Sequence, residues 1–87
     1  MTYKITASAY FDSGEQFYLA VGLNNGATII YDMQVMSEKY ILECHGGAVS
    51  TIAFNQNILI NGSDYGTIYI FKLFPTKSEL VYKCSNV

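Results

Sequence analysis

The chain has 87 residues and a mass of 9.7 kDa, a length that allows one small domain at most. Its composition is 51% hydrophobic, 15% aromatic and 14% charged, which excludes a disordered tail and predicts a packed, largely β interior. The formal charge is −2, with five Lys and no Arg. Nucleic-acid binding is therefore not expected, because neither a cationic stripe for phosphates nor a guanidinium fork for bases is available.

Short segments rich in β-branched and aromatic residues alternate with turn residues along the chain. The predicted strands are, in order, residues 5–11, 17–21, 27–32, 39–44, 49–54, 58–61, 67–72 and 79–83. Glycine and asparagine in the links 22–26 and 61–66 favour tight turns between antiparallel strands. One segment is ambiguous, because residues 33–44 contain good helix formers and local propensity alone would favour an α-helix there.

The chain contains an internal repeat with a period of forty residues. The aligned pairs are Leu19 with Leu59, Gly22 with Gly62, Gly26 with Gly66, Ile30 with Ile70, Cys44 with Cys84, and segment 40–42 with 80–82. This period is typical of one four-stranded propeller blade or of one helix pair in an α-solenoid. The strand chemistry of the second copy favours the blade, and segment 33–44 is accordingly predicted to contain a strand.

The second and third predicted strands of each copy are apolar at almost every position. The strands of a sheet with one solvent-exposed face would instead alternate apolar and polar residues, so each sheet is expected to be covered on both sides. Two stacked sheets cover only one face apiece. The sequence therefore predicts two bare apolar faces that something outside these 87 residues must cover.

The second copy carries a recognisable arrangement of residues. His45 lies four residues before Val49, the segment 49–54 has a Val-x-x-x-x-Phe pattern, and the segment 62–72 begins Gly-Ser-Asp-Tyr-Gly-Thr. This arrangement resembles the WD-repeat family of β-propellers, and the resemblance covers nearly the whole chain. It implies an all-β fold of two four-stranded antiparallel propeller blades, residues 1–44 and 45–87, that form part of an incomplete β-propeller, since closure takes about four to eight blades.

Both copies depart from the family's pattern, in which a His, a Ser or Thr, a turn Asp and a Trp form a hydrogen-bonded chain. The positions of the turn Asp and the Trp hold Tyr65 and Phe71 in the second copy and Asn25 and Tyr31 in the first. His45 and Ser63 are the members retained in the second copy, and Thr2 stands at the His position of the first. The resemblance thus implies two divergent blades with weakened networks.

Cys44 and His45 are adjacent and, with Cys84, raise the alternatives of a metal site or a Cys-His nucleophile. Neighbours on a strand point to opposite faces, and neither a second closely spaced ligand pair nor an oxyanion-hole motif accompanies them. The acidic residues are dispersed and form no carboxylate pair for acid-base chemistry. We expect no catalytic residue, no metal and no cofactor, and the resemblance implies that His45 hydrogen-bonds within its blade.

The resemblance implies recognition of proteins or peptides on one rim of the propeller, where the turns between second and third strands meet the connectors between blades. The residues expected on that rim are Asn24, Asn25, His45, Asp64 and Tyr65. An exposed Tyr at a turn tip supplies rigid amphipathic area for an interface, although filling a gap between blades is an equal alternative for Tyr65.

The expected function is a non-enzymatic protein-protein interaction scaffold, a two-blade portion of a WD-repeat propeller within a larger intracellular assembly. The alternative is a small β subunit that self-assembles or completes the open propeller of another chain. Expected partners are other blades of the same propeller or of another chain, and proteins or peptides, with neither nucleic acid nor membrane. The sequence shows neither a signal sequence nor an apolar run of about 20 residues. We therefore expect a cytoplasmic location, and the resemblance adds a cytoskeletal or ciliary assembly as a guess.

Overall fold

The computed structural model describes residues 3–43, 47–55, 57–74 and 77–85. The strands are β1 (Ile5–Asp12), β2 (Phe17–Leu23), β3 (Ala27–Asp32), β4 (Ser37–Glu43), β5 (Val49–Asn55), β6 (Ile58–Ser63), β7 (Thr67–Leu73) and β8 (Ser78–Ser85). Each predicted strand is present, with ends that differ by at most two residues from the prediction. The ambiguous segment forms β4, because pairing with β3 overrides its helix propensity.

The strands form two four-stranded antiparallel sheets. The first has the order β1-β2-β3-β4 and the second the order β5-β6-β7-β8, so within each sheet the strands pair in the order of the sequence. Glycines with positive φ close the tight turns, with φ of 91° at Gly26 and 80° at Gly66, a conformation that costs other residues more. The prediction of an all-β chain with two four-stranded antiparallel sheets is confirmed.

The forty-residue shift holds for only part of each sheet. It is correct for β2 and β3, where the pair Ala20 and Ile30 corresponds to Ile60 and Ile70. The prediction that it extends to the fourth strand, with segment 40–42 aligned to 80–82, is wrong, and the predicted alignment of Cys44 with Cys84 involves a residue outside the described ones.

In the fourth strand the shift is forty-two residues. Tyr40 pairs with Ile30, and Tyr82 pairs with Ile70. Asp32 pairs with Ser37, whereas Lys72 pairs with Glu79, so the second sheet has two more residues between its third and fourth strands. The first strand is shifted by forty-four, since Tyr10 and Leu19 correspond to Phe54 and Leu59.

The two sheets pack against each other through one face each, which we call the inner faces. Their buried side chains form a single core made of Ala20, Ile30, Leu42, Leu59, Tyr69, Phe71 and Leu73. The two sheets come close together at Gly22, where an added Cβ would lie 2.5 Å from Val49 Cγ1 and 2.6 Å from Val49 Cβ. The absence of a side chain at Gly22 therefore allows β5 to seat against the first sheet.

The opposite face of each sheet, its outer face, remains open. On the first sheet it exposes 69% of Tyr10 and 57% of Ile41, and on the second it exposes 44% of Ile68 and 55% of Tyr82. Apolar side chains on an open sheet face are unusual in a monomer. The predicted pair of bare apolar faces is thus present in the structure.

Candidate protein-interaction site

The turn between β2 and β3 carries two of the predicted contact residues, and their side chains hold the turn in place. Asn24 Oδ1 accepts a hydrogen bond from the Lys4 N–H at 3.2 Å, and the Asn24 N–H donates to the Lys4 carbonyl at 3.0 Å. Asn25 Oδ1 accepts from the Ala27 N–H at 3.1 Å. Both amides therefore have structural bonds in addition to any role in contact.

The turn between β6 and β7 carries Asp64 and Tyr65 and is held by backbone bonds and by Ser63. The Asp64 N–H donates to the Ala48 carbonyl at 3.0 Å. Ser63 Oγ accepts a hydrogen bond from the Thr67 N–H at 3.3 Å. In the first sheet, the Asn25 side chain accepts the equivalent hydrogen bond, from the Ala27 N–H. The side chain of Tyr65 therefore does not have to accept the backbone hydrogen bond that its equivalent Asn25 accepts in the first sheet.

Tyr65 is exposed and still has a defined place. Its side chain is 77% exposed, while a Cβ added to Gly47 would lie 2.9 Å from Tyr65 Cε2 and 3.0 Å from Cδ2. The ring therefore rests directly on the Gly47 backbone, on the connector that leads into β5. Both alternatives for this residue, a contact surface and the filling of a gap between blades, remain predictions.

The two turns lie at the same end of the molecule. Gly22, just before the first turn, contacts Val49, and Val49 pairs with Ser63, just before the second turn. The structure thus brings Asn24, Asn25, Asp64 and Tyr65 to one rim, which we call the turn rim, and the hydrogen bonds given above tie each turn to its own sheet. The predicted contact residue His45 and its hydrogen-bonded role, like the assignment of Thr2, lie outside the described residues.

A cavity between the two sheets opens at the opposite end of the molecule. Its volume is about 580 Å³, and five aromatic side chains line it together with Lys39 and Glu15. These are Phe11, Tyr18, Tyr40, Phe54 and Phe74. The sequence analysis did not identify this aromatic cavity, because its lining comes from strand ends of both sheets.

The rings of the aromatic cavity are fixed by contacts across the sheets. The Phe54 ring centroid lies 6.0 Å from that of Phe11 and 6.3 Å from that of Tyr18. The Tyr40 hydroxyl donates to the Phe74 carbonyl, and Lys39 Nζ lies 5.8 Å from the Tyr40 ring centroid. Burial, and secondarily the neighbouring Tyr18, raises the pKa of Tyr40 above its ordinary value of 10.0. The cavity therefore combines ordered aromatic rings with charged and polar side chains.

Metal and membrane features are limited to what the described residues show. Among residues 3–43, 47–55, 57–74 and 77–85, no three His, Cys, Asp or Glu side chains are grouped so that they could hold a metal ion. Cys44 and His45 are outside those ranges, so the expectation of no metal remains a prediction. The same part of the chain contains no helix long and apolar enough to cross a membrane.

Comparison with solved structures identifies the fold. A chain in the crystal structure of a mitotic checkpoint complex superposes with a TM-score of 0.80 and 21% sequence identity, over 98% of this chain and 25% of that chain. The β-propeller domain of Cps50 (Swd1) from Myceliophteria thermophila superposes with a TM-score of 0.76 and 22% identity, over 98% of this chain and 30% of that chain. The fold is that of two β-propeller blades.

The likeness extends over both sheets but over only part of each neighbour. This chain spans 25% and 30% of the lengths of the two propeller chains, so it corresponds to a partial propeller. No protein-family model and no curated protein sequence matches the chain. The resemblance of the sequence to WD-repeat propellers is therefore confirmed at the level of the fold.

Proposed function

We propose that the chain is a non-enzymatic protein-interaction scaffold, a two-blade portion of a WD-repeat propeller within a larger assembly. The observation that carries the proposal is a pair of propeller blades whose outer apolar faces and turn rim are open to partners. Large exposed apolar surfaces mark sites of protein association. The presence of a similar fold in a mitotic checkpoint complex supports a role in multiprotein assemblies.

The proposed contact site for a protein or peptide is the turn rim, with Tyr65 as its main contact and Asp64, Asn24 and Asn25 as the other contacts. His45 is included in the proposed site from the sequence alone. Tyr65 is 77% exposed and rests on Gly47. A ring that is already positioned loses little conformational freedom when a partner covers it, and Tyr is enriched among residues that contribute most to binding. This geometry supports Tyr65 as the residue to test first.

The proposal includes a cytoplasmic location and protein partners, without nucleic acid or membrane. A cytoskeletal or ciliary complex remains a prediction from the sequence alone. The second candidate function is a small β subunit that self-assembles or completes the propeller of another chain. The open outer faces favour this candidate, because a blade in a propeller is covered on both sides.

Site-specific photo-crosslinking in intact cells tests the contact role of the turn rim. A photoreactive phenylalanine analogue replaces Tyr65 in one variant and Val35 in the control, which is 66% exposed in the turn between β3 and β4. We expect a discrete adduct with another protein from position 65 and none from position 35. Recovery of that protein should fall with Tyr65→Ser. Adducts from both positions alike, or none from position 65, would contradict the proposed site.

A further inference from the structure

The outer face of the second sheet corresponds to the inner face of the first. By strand register, Ile70 and Tyr82 on that outer face occupy the positions of Ile30 and Tyr40. Ile30 is fully buried against the second sheet, whereas Tyr82 is 55% exposed. The open face of the second sheet therefore has the residue layout of a face that this chain already uses to bind a blade.

The reverse correspondence holds for the outer face of the first sheet. Leu19 and Tyr31 occupy the positions of Leu59 and Phe71, which lie in the core between the sheets. The side chains are of the same apolar or aromatic class at both positions. Each end of the molecule thus presents the counterpart of the surface presented by the other end.

The contact between Val49 and Gly22 has equivalent positions on the two outer faces. Val49 is 1% exposed and packs against Gly22, while its register equivalent Ile5 is 65% exposed. Gly62 is the equivalent of Gly22 on the outer face of the second sheet, where the Thr51 methyl group of the same sheet covers it: an added Cβ would lie 2.6 Å from Thr51 Cγ2. A projecting β-branched side chain is therefore open at one end of the chain, and at the other end the matching position presents the Thr51 methyl group.

We propose that the chain binds a second copy of itself head to tail, with the outer face of the first sheet of one copy, including Ile5, packed on the outer face of the second sheet of the next, beside Thr51 and Gly62. The proposal rests on the role of the chain as a portion of a propeller and names the partner of its outer faces. The interface is heterologous, so each copy uses both faces, and repetition closes a ring when the rotation between copies divides a full turn. Three or four copies supply about six or eight blades, a number that closes a propeller.

Two variants that each block one face test the proposal. Ile5→Glu places a carboxylate on the outer face of the first sheet. Ile68→Glu does so beside Gly62, with which Ile68 pairs across β6 and β7. In a head-to-tail interface, neither variant associates with itself, whereas their mixture retains one intact pair of faces. Light scattering after size exclusion should give rings for the unaltered chain, monomers of 9.7 kDa for each variant, and a one-to-one dimer for the mixture.

The control is Val35→Glu, which makes the same exchange at an apolar residue that is 66% exposed away from both outer faces and should form the unaltered ring. Circular dichroism checks that each variant is folded. Ile41→Glu and Tyr82→Glu, at residues 57% and 55% exposed on the same two faces, provide a second pair should the first not fold.

A monomeric unaltered chain, or a mixture of folded variants that stays monomeric, would overturn the inference and assign the outer faces to blades of other chains. Self-association of either variant alone would overturn it as well, because like faces would then be pairing. Tyr65 lies on neither outer face. Loss of the ring with crosslinking retained therefore contradicts this inference alone, and loss of crosslinking with the ring retained contradicts only the proposed contact site.

Discussion

Thr28 has a buried hydroxyl that the fold does not use. The residue is fully buried on the inner face of the first sheet, and Thr28 Oγ1 has no hydrogen-bond partner among the described residues. A buried hydroxyl without a partner costs about 1–3 kcal/mol. The repeat places the apolar Ile68 at the equivalent position, so the fold accommodates an apolar side chain there.

We expect Thr28→Val, which preserves the shape of the side chain, to raise the free energy of unfolding by about 1 kcal/mol. Urea denaturation at a fixed protein concentration measures the change. The matched control is Thr6→Val, because the Thr6 hydroxyl donates to the Gly22 carbonyl at 3.2 Å and its loss should lower stability by about 0.5–1 kcal/mol. A loss of stability in Thr28→Val would show that its hydroxyl is bonded.

Tyr40 should make the stability depend on pH in the alkaline range. Its pKa in the folded chain is raised above 10.0 by burial and then by Tyr18, so the folded state holds the phenolic proton more tightly than the unfolded state. The resulting stability is fully present below the unfolded pKa and is lost as pH rises through the folded pKa. The neutral hydroxyl also donates to the Phe74 carbonyl.

Tyr40→Phe removes both the hydroxyl and its titration. We expect this variant to be less stable than the unaltered chain by about 1 kcal/mol near neutral pH, and the difference to shrink once pH exceeds 10.0. Denaturation curves collected across the alkaline range test this. A difference that stays constant with pH would refute the assigned protonation linkage.

At the scale of an element, the turn between β3 and β4 contains a residue that the backbone disfavours. Met36 has a φ of 57° and is 73% exposed, so its side chain contributes little burial to offset the strain. The left-handed conformation costs about 1–2 kcal/mol for residues with a Cβ, and glycine adopts it freely.

Met36→Gly should therefore raise the free energy of unfolding by about 0.5–1 kcal/mol, since part of the relieved strain is offset by the greater freedom of glycine in the unfolded chain. Gly66→Ala is the opposite exchange at a φ of 80° and should lower it by about 1 kcal/mol. Thermal denaturation of both variants measures the two shifts. Shifts of the same sign would disagree with the backbone explanation.

The sequence predicted those elements whose signals are local. Apolar runs bounded by glycine turns identify β2, β3, β6 and β7, and the forty-residue repeat corrected the helix propensity of residues 33–44. The forty-residue repeat, which aligned Cys44 with Cys84, failed between β4 and β8, because the second sheet has two more residues between its third and fourth strands. Asp32 pairs with Ser37 in the first sheet, whereas Lys72 pairs with Glu79 in the second. An insertion in a turn leaves strand composition unchanged, so only the pairing register detects it.

The candidate site also has a part that could be predicted from the sequence and a part that could not. Each turn is recognisable from residues that are near in sequence, and the resemblance to WD-repeat propellers predicted that Asn24, Asn25, Asp64 and Tyr65 share one rim. The aromatic cavity is built from residues of both sheets, such as Tyr18, Phe54 and Phe74. Their proximity depends on how the sheets stack, and no local pattern of the sequence encodes that arrangement.

At the scale of the whole molecule, the two sheets share one core. Leu59 of the second sheet is fully buried in a cluster with Ala20, Ile30 and Leu42 of the first. A sheet of four strands with both faces open would have little buried apolar surface to offset its conformational entropy. The blades are therefore expected to unfold together, even though, among the strands that the structure describes, none of one sheet pairs with a strand of the other.

Leu59→Ala tests this coupling by hydrogen exchange. With Ile5→Glu as the background, so that contacts between copies do not contribute, the substitution should lower stability by about 2–5 kcal/mol. Because the core is shared, amides of β2 and β3 should then exchange faster by the same free energy as those of β6. The matched control is Leu19→Ala, at the equivalent position on the outer face of the first sheet, where a smaller loss is expected. Faster exchange confined to β5–β8 would show that each blade is stable independently, and the shared core would then fail as the explanation of the fold.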